Sequence, residues 1–183
     1  MVKTVLITGA TDGIGKHLAK KLASEGHHVI LHGRNSQKLE LATQEVRAVS
    51  LRGRVSSYLA DFSKLDDVYR FVGEIKQDFD QLDVLFNNAG LYAGKERKAS
   101  DEKTKKSLFG RLMKSLSKNV DEGIETGYYL TLSEEIRGLT GYYFDEKKVK
   151  SVSEKGYTLE KAKTLITYCN DRIELFQNKS ETV

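Results

Sequence analysis

The first ninety residues alternate short apolar runs with longer segments whose apolar residues recur every three or four positions. The runs predict buried parallel strands, because a strand that is covered on both faces has no polar side. The periodic segments predict helices that each bury one face. The predicted strands are KTVLIT, HHVILHGRN, RVSSYLADF and LDVLFNNAG, and the predicted helices are IGKHLAKKLASEG, SQKLELATQEVRAV and SKLDDVYRFVGEIKQDF.

Residue types at the helix ends agree with these bounds. Gly26 follows the first helix as a C-terminal cap, and Ser36 is the predicted N-cap of the second. Ser63 and Asp66 have the spacing of a capping box at the start of the third helix. The predicted buried stripe of that helix consists of Leu65, Val68, Val72, Ile75 and Phe79.

Strict alternation of strand and helix predicts an α/β fold. Right-handed crossovers then build a doubly wound parallel sheet of the Rossmann type, with helices on both faces. In such a sheet the ligand lies beyond the carboxyl ends of the strands, and the first strand-to-helix turn holds a pyrophosphate. That turn is TGATDGIG, whose glycines let the backbone approach phosphates at the positive end of the following helix.

The motifs TGATDGIG and NNAG resemble those of the short-chain dehydrogenase/reductase family, over residues 1 to about 102. The later chain, including TGYYF, resembles retinol-dehydrogenase-like members of that family. The resemblance implies cofactor-binding residues at three places. Near the diphosphate they are Gly9, Asp12, Gly13, Ile14 and Gly15; near the adenine, Asp61 and Phe62; near the adenosine ribose, Asn88, Ala89 and Gly90.

The end of the second predicted strand indicates which nicotinamide cofactor is preferred. NAD selection needs an acidic residue there, whereas the 2′-phosphate of NADP needs a cation. The chain has Arg34 and Asn35 at this place and no acid. A guanidinium can bind a phosphate through two charge-assisted hydrogen bonds, so we expect NADP(H) rather than NAD(H), with Arg34 and Asn35 at the site. The alternative is an exposed arginine on an ordinary loop.

The family resemblance also implies a catalytic serine, a Tyr-x-x-x-Lys pair and a Pro-Gly pair, which we do not find. The chain contains no proline, and residues 91–118 are too few for two further strand-helix units of ~30 residues each. Two Tyr-x-x-x-Lys matches, Tyr143…Lys147 and Tyr157…Lys161, are about what chance provides. We therefore expect a sheet that is shortened relative to the family, with unknown catalytic residues.

Two functions follow. The first is an NADP(H)-dependent oxidoreductase that transfers hydride between the cofactor and an alcohol, aldehyde or ketone, with its catalytic block lost or left out of the sequence. The alternative is a catalytically inactive short form that acts as a dinucleotide-binding or interaction protein. The family chemistry needs a protein group that supplies a proton to the developing alkoxide. Without such a group the chain could still bind the cofactor, but it should not turn over a substrate.

The chain is predicted to form one domain over 1–183, with a cofactor-binding half at 1–90, a basic junction at 91–118 and a helix-strand-helix end at 119–183. Thr158 is the predicted cap of the last helix. The buried stripe predicted for that helix is Ala162, Leu165, Ile166, Cys169, Ile173 and Phe176.

The amino-acid composition indicates the expected cellular location and binding partners of the chain. With 39% hydrophobic and 31% charged residues the chain is globular, and its single cysteine excludes an internal disulfide and a cysteine metal framework. We expect a cytoplasmic protein, or one on the cytosolic face of a membrane, with no metal. Its expected partners are a small-molecule alcohol or carbonyl substrate and a second copy, but no nucleic acid.

The basic, apolar segment 103–118 fits either a membrane-surface helix or a packed helix over the substrate, and we favour packing.

Overall fold

The computed structural model describes residues 1–51, 53–90, 120–151 and 158–180. They belong to two compact units, Met1–Gly138 and Leu139–Val183. The single domain over 1–183 stays a prediction. The predicted amphipathic segment 103–118 lies outside the described residues, as does Tyr157.

A parallel sheet of four strands forms the centre of the first unit. The strands are β1 (Thr4–Ile7), β2 (His28–Gly33), β3 (Val55–Leu59) and β4 (Val84–Phe86), in the order β3-β2-β1-β4. The helices are α1 (Gly13–Ser24), α2 (Ser36–Val49), α3 (Leu65–Asp78) and α4 (Val120–Leu132), followed by a short 3₁₀ helix, Glu134–Ile136. The predicted α/β fold with a parallel sheet is confirmed.

Helices cover both faces of this sheet. Along β1, Val5 and Ile7 are fully buried in a core that includes residues of α1, α2 and α4. Leu6 belongs to a second core, with Phe71 and Ile75 of α3. Alternate residues of a strand point to opposite faces, so one short strand supplies both cores. Each such apolar side chain contributes about 1.5–3 kcal/mol through burial.

The predicted ends of α1 and α2 can be compared with the structure. Gly26 has φ +86° and its N–H donates to the carbonyl of Ala23, which confirms the C-terminal cap of α1. The N-cap of α2 is Asn35 rather than Ser36, because the Asn35 side chain accepts a hydrogen bond from the Lys38 N–H at 3.0 Å. Both residue types are good caps, and the helix begins at Ser36, one residue earlier than a Ser36 cap requires.

The predicted capping box of α3 is wrong. The helix begins at Leu65, and its N-cap, Lys64, makes no side-chain cap hydrogen bond. The Ser63 hydroxyl instead donates to the Asp61 carboxylate at 2.8 Å, within the turn before the helix. The buried residues of α3 are Phe71 and Ile75, and Phe79 packs partly buried against the same core, so two members of the predicted stripe, Ile75 and Phe79, do lie inward. Two members of that stripe, Leu65 and Val72, are exposed.

The second unit contains a hairpin and a helix. The antiparallel strands β5 (Tyr143–Asp145) and β6 (Lys148–Lys150) precede α5 (Leu159–Ser180). Thr158 caps α5 as predicted, because its Oγ1 accepts from the Lys161 N–H at 3.2 Å.

The stripe predicted as buried on α5 is exposed at four of the five members whose burial is described. Leu165 and Ile166 are each 61% exposed, and Cys169 is exposed as well. A stripe at helical spacing defines a face that can be buried, but it does not supply the surface that covers it. Within the described part of the chain, no helix is both long and apolar enough to cross a membrane.

Candidate dinucleotide site

A cavity of about 570 Å³ lies beyond the carboxyl ends of the four parallel strands. Four separate segments line it, one after each strand. The turn after β1 and the start of α1 contribute Gly9, Thr11, Asp12 and Ile14; the end of β2 contributes His32, Gly33 and Arg34; the segment after β3 contributes Ala60, Asp61, Phe62 and Ser63; and the segment after β4 contributes Asn88, Ala89 and Gly90.

Glycine is required at two positions, one in the turn between β1 and α1 and one in the first turn of α1. Gly9 has φ +64°, and a Cβ there would lie 2.9 Å from the Ala89 Cα. A Cβ on Gly15 would lie 2.5 Å from Asn88 Nδ2 and 2.8 Å from the Gly9 carbonyl. The turn is therefore packed against the segment after β4 with no room for a side chain.

The first turn of α1 lies at the cavity wall. The helix begins at Gly13, between the lining residues Asp12 and Ile14, and the Asp12 carboxylate accepts from the Gly13 N–H at 2.8 Å. Ile14 is 43% exposed. The first N–H groups of a helix lack intrahelical partners and favour an anion.

Thr8 and Asn88 tie the end of β4 to the glycine turn. The Asn88 and Ala89 N–H groups both donate to Thr8 Oγ1, at 3.0 and 2.9 Å. The Asn88 side-chain amide donates to the carbonyls of Thr8 and Gly9, at 3.0 and 3.1 Å. Sequence reasoning missed Thr8, and its signal is a hydroxyl residue placed directly before the glycine turn.

The rim of the cavity carries opposite charges. Arg34 follows the last residue of β2, and Asp61 follows β3. Hydrogen bonds from the Ser63 N–H and hydroxyl lower the pKa of the Asp61 carboxyl, and the Arg34 guanidinium adds to the effect. Asp61 is thus held by its own turn, and the Arg34 side chain is the cation at the end of β2.

The structure brings the sequence-predicted residues together. All of them line the cavity except Gly13 and Gly15, in the first turn of α1, and Asn35, which caps α2. Contact of any of them with a cofactor stays a prediction. Besides Thr8, sequence reasoning missed five lining residues, whose only signal was proximity in sequence to predicted ones: Thr11, His32, Gly33, Ala60 and Ser63.

The Tyr143…Lys147 match does not lie in a helix. Tyr143 is the first residue of β5, and Lys147 lies in the hairpin turn with φ +65°. The described residues contain no group of three or more His, Cys, Asp or Glu side chains suited to a metal ion.

Comparison with known proteins gives the family. The model of the family described as short chain dehydrogenase matches residues 3–120. Human retinol dehydrogenase 13 is 37% identical over 89 residues, which cover 49% of this chain and 27% of that protein. Human polyprenol dehydrogenase is 34% identical over 99 residues, or 54% of this chain and 30% of that protein.

Solved structures are also similar. L-sorbose reductase from Gluconobacter frateurii, complexed with NADPH and L-sorbose, has a TM-score of 0.47 at 31% identity, covering 56% of this chain and 39% of that chain. The chain spans between a quarter and a third of the length of the curated relatives reported above. The family model covers well over half of the chain, and it includes both motifs that line the cavity. The chain therefore belongs to the short-chain dehydrogenase/reductase family and is similar to its retinol dehydrogenases.

Proposed function

We propose that the cavity binds NADP(H), and that the protein serves hydride transfer between this cofactor and an alcohol, aldehyde or ketone. One observation carries the proposal. A single cavity joins the glycine turn and first turn of α1 to the Arg34 guanidinium at the end of β2. These are the two places where a diphosphate and a 2′-phosphate lie in a doubly wound sheet.

The diphosphate would lie against the turn after β1. The close approach of Gly9 to Ala89 and of Gly15 to Asn88 leaves the backbone, rather than side chains, facing the cavity. Backbone N–H groups and the positive end of α1 favour an anion there. The Thr8 and Asn88 hydrogen bonds fix the turn before a ligand arrives, which reduces the entropy cost of binding.

Preference for NADP(H) would come from Arg34. A carboxylate at the end of β2 would favour the two ribose hydroxyls of NAD, but the residues there are His32, Gly33, Arg34 and Asn35. Asp61 accepts two hydrogen bonds from Ser63, so its carboxylate is already engaged beside the guanidinium.

Catalysis is the further step in the proposal. When bound, the nicotinamide supplies or accepts the hydride, and the protein must hold the carbonyl and deliver a proton. We assign the proton donor to no residue of this chain. The hairpin position of Tyr143 and Lys147 supports the alternative, a short form that binds dinucleotide without turnover. The small-molecule substrate, a homo-oligomer, membrane contact through 103–118 and a cytoplasmic location stay predictions.

Binding of NADPH and NADH to the purified chain tests the proposal. We expect NADPH to bind at least about tenfold more tightly than NADH, because charged hydrogen bonds to a phosphate contribute about 1.5–3 kcal/mol. Arg34→Ala should weaken NADPH binding by about tenfold or more and leave NADH binding nearly unchanged. Isothermal titration calorimetry measures both affinities.

Lys76→Ala, which removes a cation from the last turn of α3, is the matched control and should retain the wild-type preference. Equal affinity of the wild type for both dinucleotides would contradict the role of Arg34. Consumption of NADPH with a panel of aldehydes and ketones then separates an enzyme from a binding protein.

A further inference from the structure

One imidazole at the end of β2 contacts two other segments around the cavity. His32, near the end of β2, is only 3% exposed. Its Nδ1 lies 3.3 Å from the Gly9 nitrogen, and its Nε2 lies 3.0 Å from the Ala60 carbonyl oxygen. Its backbone carbonyl accepts from the Ala10 N–H at 2.9 Å. The ring therefore joins the glycine turn after β1 to the segment after β3.

These partners determine where the ring proton lies. The Gly9 N–H can only donate, so Nδ1 must be the unprotonated acceptor. The Ala60 carbonyl can only accept, so Nε2 must carry the hydrogen. A neutral ring satisfies both bonds, whereas a protonated ring would place a second donor against the Gly9 N–H and leave that amide without its acceptor.

The surroundings of the ring favour this neutral form. The Phe62 ring stacks on His32 with centroids 3.9 Å apart, and the edge of Phe71 lies 5.2 Å away. Burial among these rings lowers the pKa of His32, and the hydrogen bond to the Ala60 carbonyl opposes this only in part.

The Gly9 amide is the part of the turn that this bond controls. Gly9 has a left-handed backbone, and its carbonyl already accepts from the Asn88 side chain at 3.1 Å. The His32 ring fixes the N–H on the other side of the same residue. The orientation of the peptide groups that face the cavity thus depends on an acceptor at the position of Nδ1.

We propose that His32 is a positioning residue of the dinucleotide cavity, whose Nδ1 holds the Gly9 amide in the orientation that a bound diphosphate requires. This inference rests on the proposed function, because it concerns affinity for the same ligand. The residue acts through Gly9 and takes no part in a reaction step.

Two substitutions separate the two ring nitrogens. In His32→Asn the side-chain oxygen can occupy the place of Nδ1 and accept from Gly9. In His32→Gln the amide reaches instead to the place of Nε2, so the bond to Ala60 can be kept while the Gly9 acceptor is lost. We expect the affinity of His32→Asn for NADP⁺ to be within about threefold of the wild type. The affinity of His32→Gln should be about tenfold lower, because the buried Gly9 N–H loses its acceptor.

A histidine on the same strand provides the structural control. His28 begins β2 at its other end, where its Nε2 lies 3.2 Å from Ser56 Oγ and its ring contacts Phe79. His28→Gln should lower the thermal unfolding temperature but leave NADP⁺ affinity unchanged. Calorimetric titration of NADP⁺ at pH 8, with unfolding curves of each variant, compares affinity at equal folded fraction.

The outcomes are distinct. Absence of NADP⁺ binding by the wild type would overturn the proposed function, and this inference with it. Normal wild-type binding with equal affinities in the Asn and Gln variants would overturn this inference alone. A second measurement needs no variant, because a ring ¹H–¹⁵N correlation spectrum should show His32 at pH 8 as the neutral Nε2–H tautomer. A Nδ1–H tautomer would contradict the assigned hydrogen bonds.

Discussion

At the scale of single residues, the shape of the cavity depends on glycines, which lack a Cβ, as well as on the side chains around them. Gly9 and Gly15 lie where any Cβ would collide with the backbone or with Asn88. Gly33 is similarly close to the Thr11 side chain. Thr8 and Asn88 then fill the hydrogen-bonding capacity of the same region. These contacts leave the cavity with a rigid backbone wall.

Replacement of Gly15 tests this wall. Gly15→Ala should lower the free energy of unfolding by about 1–3 kcal/mol, as overpacking does, and should weaken NADPH binding. The control is Gly73→Ala in α3, where a Cβ would meet nothing within 4 Å. That control should stabilise the protein by about 0.5–1 kcal/mol through helix propensity. Urea denaturation measures both, and equal effects of the two substitutions would contradict the packing described for Gly15.

At the scale of elements, α4 is held against α1 by a polar cluster at the edge of the shared core. The Tyr128 hydroxyl donates to the Glu25 carboxylate, at 2.8 and 2.7 Å from its two oxygens. Lys21 Nζ lies 3.8 Å from the centre of the Tyr128 ring and 3.5 Å from the Glu125 carboxylate. Burial raises the pKa of Tyr128 to about 12, and the bond to Glu25 adds to the effect.

Tyr128 should therefore link stability to alkaline pH. Unfolded tyrosine titrates near ~10, so between that pH and about 12 the folded chain holds more protons and stability falls as the pH rises. Tyr128→Phe should cost about 0.5–1.5 kcal/mol at pH 8, for one hydrogen bond, and should reduce the decline above pH 10. Urea unfolding at pH 8, 10 and 11 measures it, and a variant with the wild-type alkaline slope would contradict the account.

The elements also show what sequence pattern can and cannot predict. Runs of β-branched residues gave the four strands, and the glycine turn with NNAG indicated the side of the sheet that carries the cavity. The pattern did not choose between Asn35 and Ser36 as the cap of α2, because adjacent residues of both types can cap. Nor did it predict that His32 bonds to Gly9 and Ala60, since those bonds depend on how β1, β2 and β3 lie side by side.

At the scale of the molecule, the α5 stripe marks the limit of periodicity as evidence. Leu165, Ile166 and Cys169 share a helix face, yet they are exposed. Periodicity is a property of one helix, whereas burial needs a second surface whose place no local pattern records.

Three histidines should make the free energy of unfolding depend on pH in mild acid. Burial lowers the pKa of His27, His28 and His32, and Arg54 adds to the effect at His28. Unfolded histidine titrates near ~6.5, so below that pH the unfolded chain binds more protons and the free energy of unfolding falls. The decline should level off once the folded imidazoles are protonated.

Urea unfolding between pH 7.5 and pH 5 measures this decline. His28→Gln removes one of the three imidazoles, so the free energy of unfolding of this variant should fall less steeply as the pH is lowered. Constant stability over that range in the wild type would show that the three imidazoles are no harder to protonate in the folded chain than in the unfolded one.

The hydrogen bond from Asn88 to Thr8 joins residues 80 positions apart. During synthesis on the ribosome, the glycine turn emerges early, but its partner emerges only with the last strand of the sheet. A nascent chain that still holds β4 inside the exit tunnel has the glycine turn without the contacts that shape it. Under the proposed function, we expect NADP(H) to bind only after that strand is released.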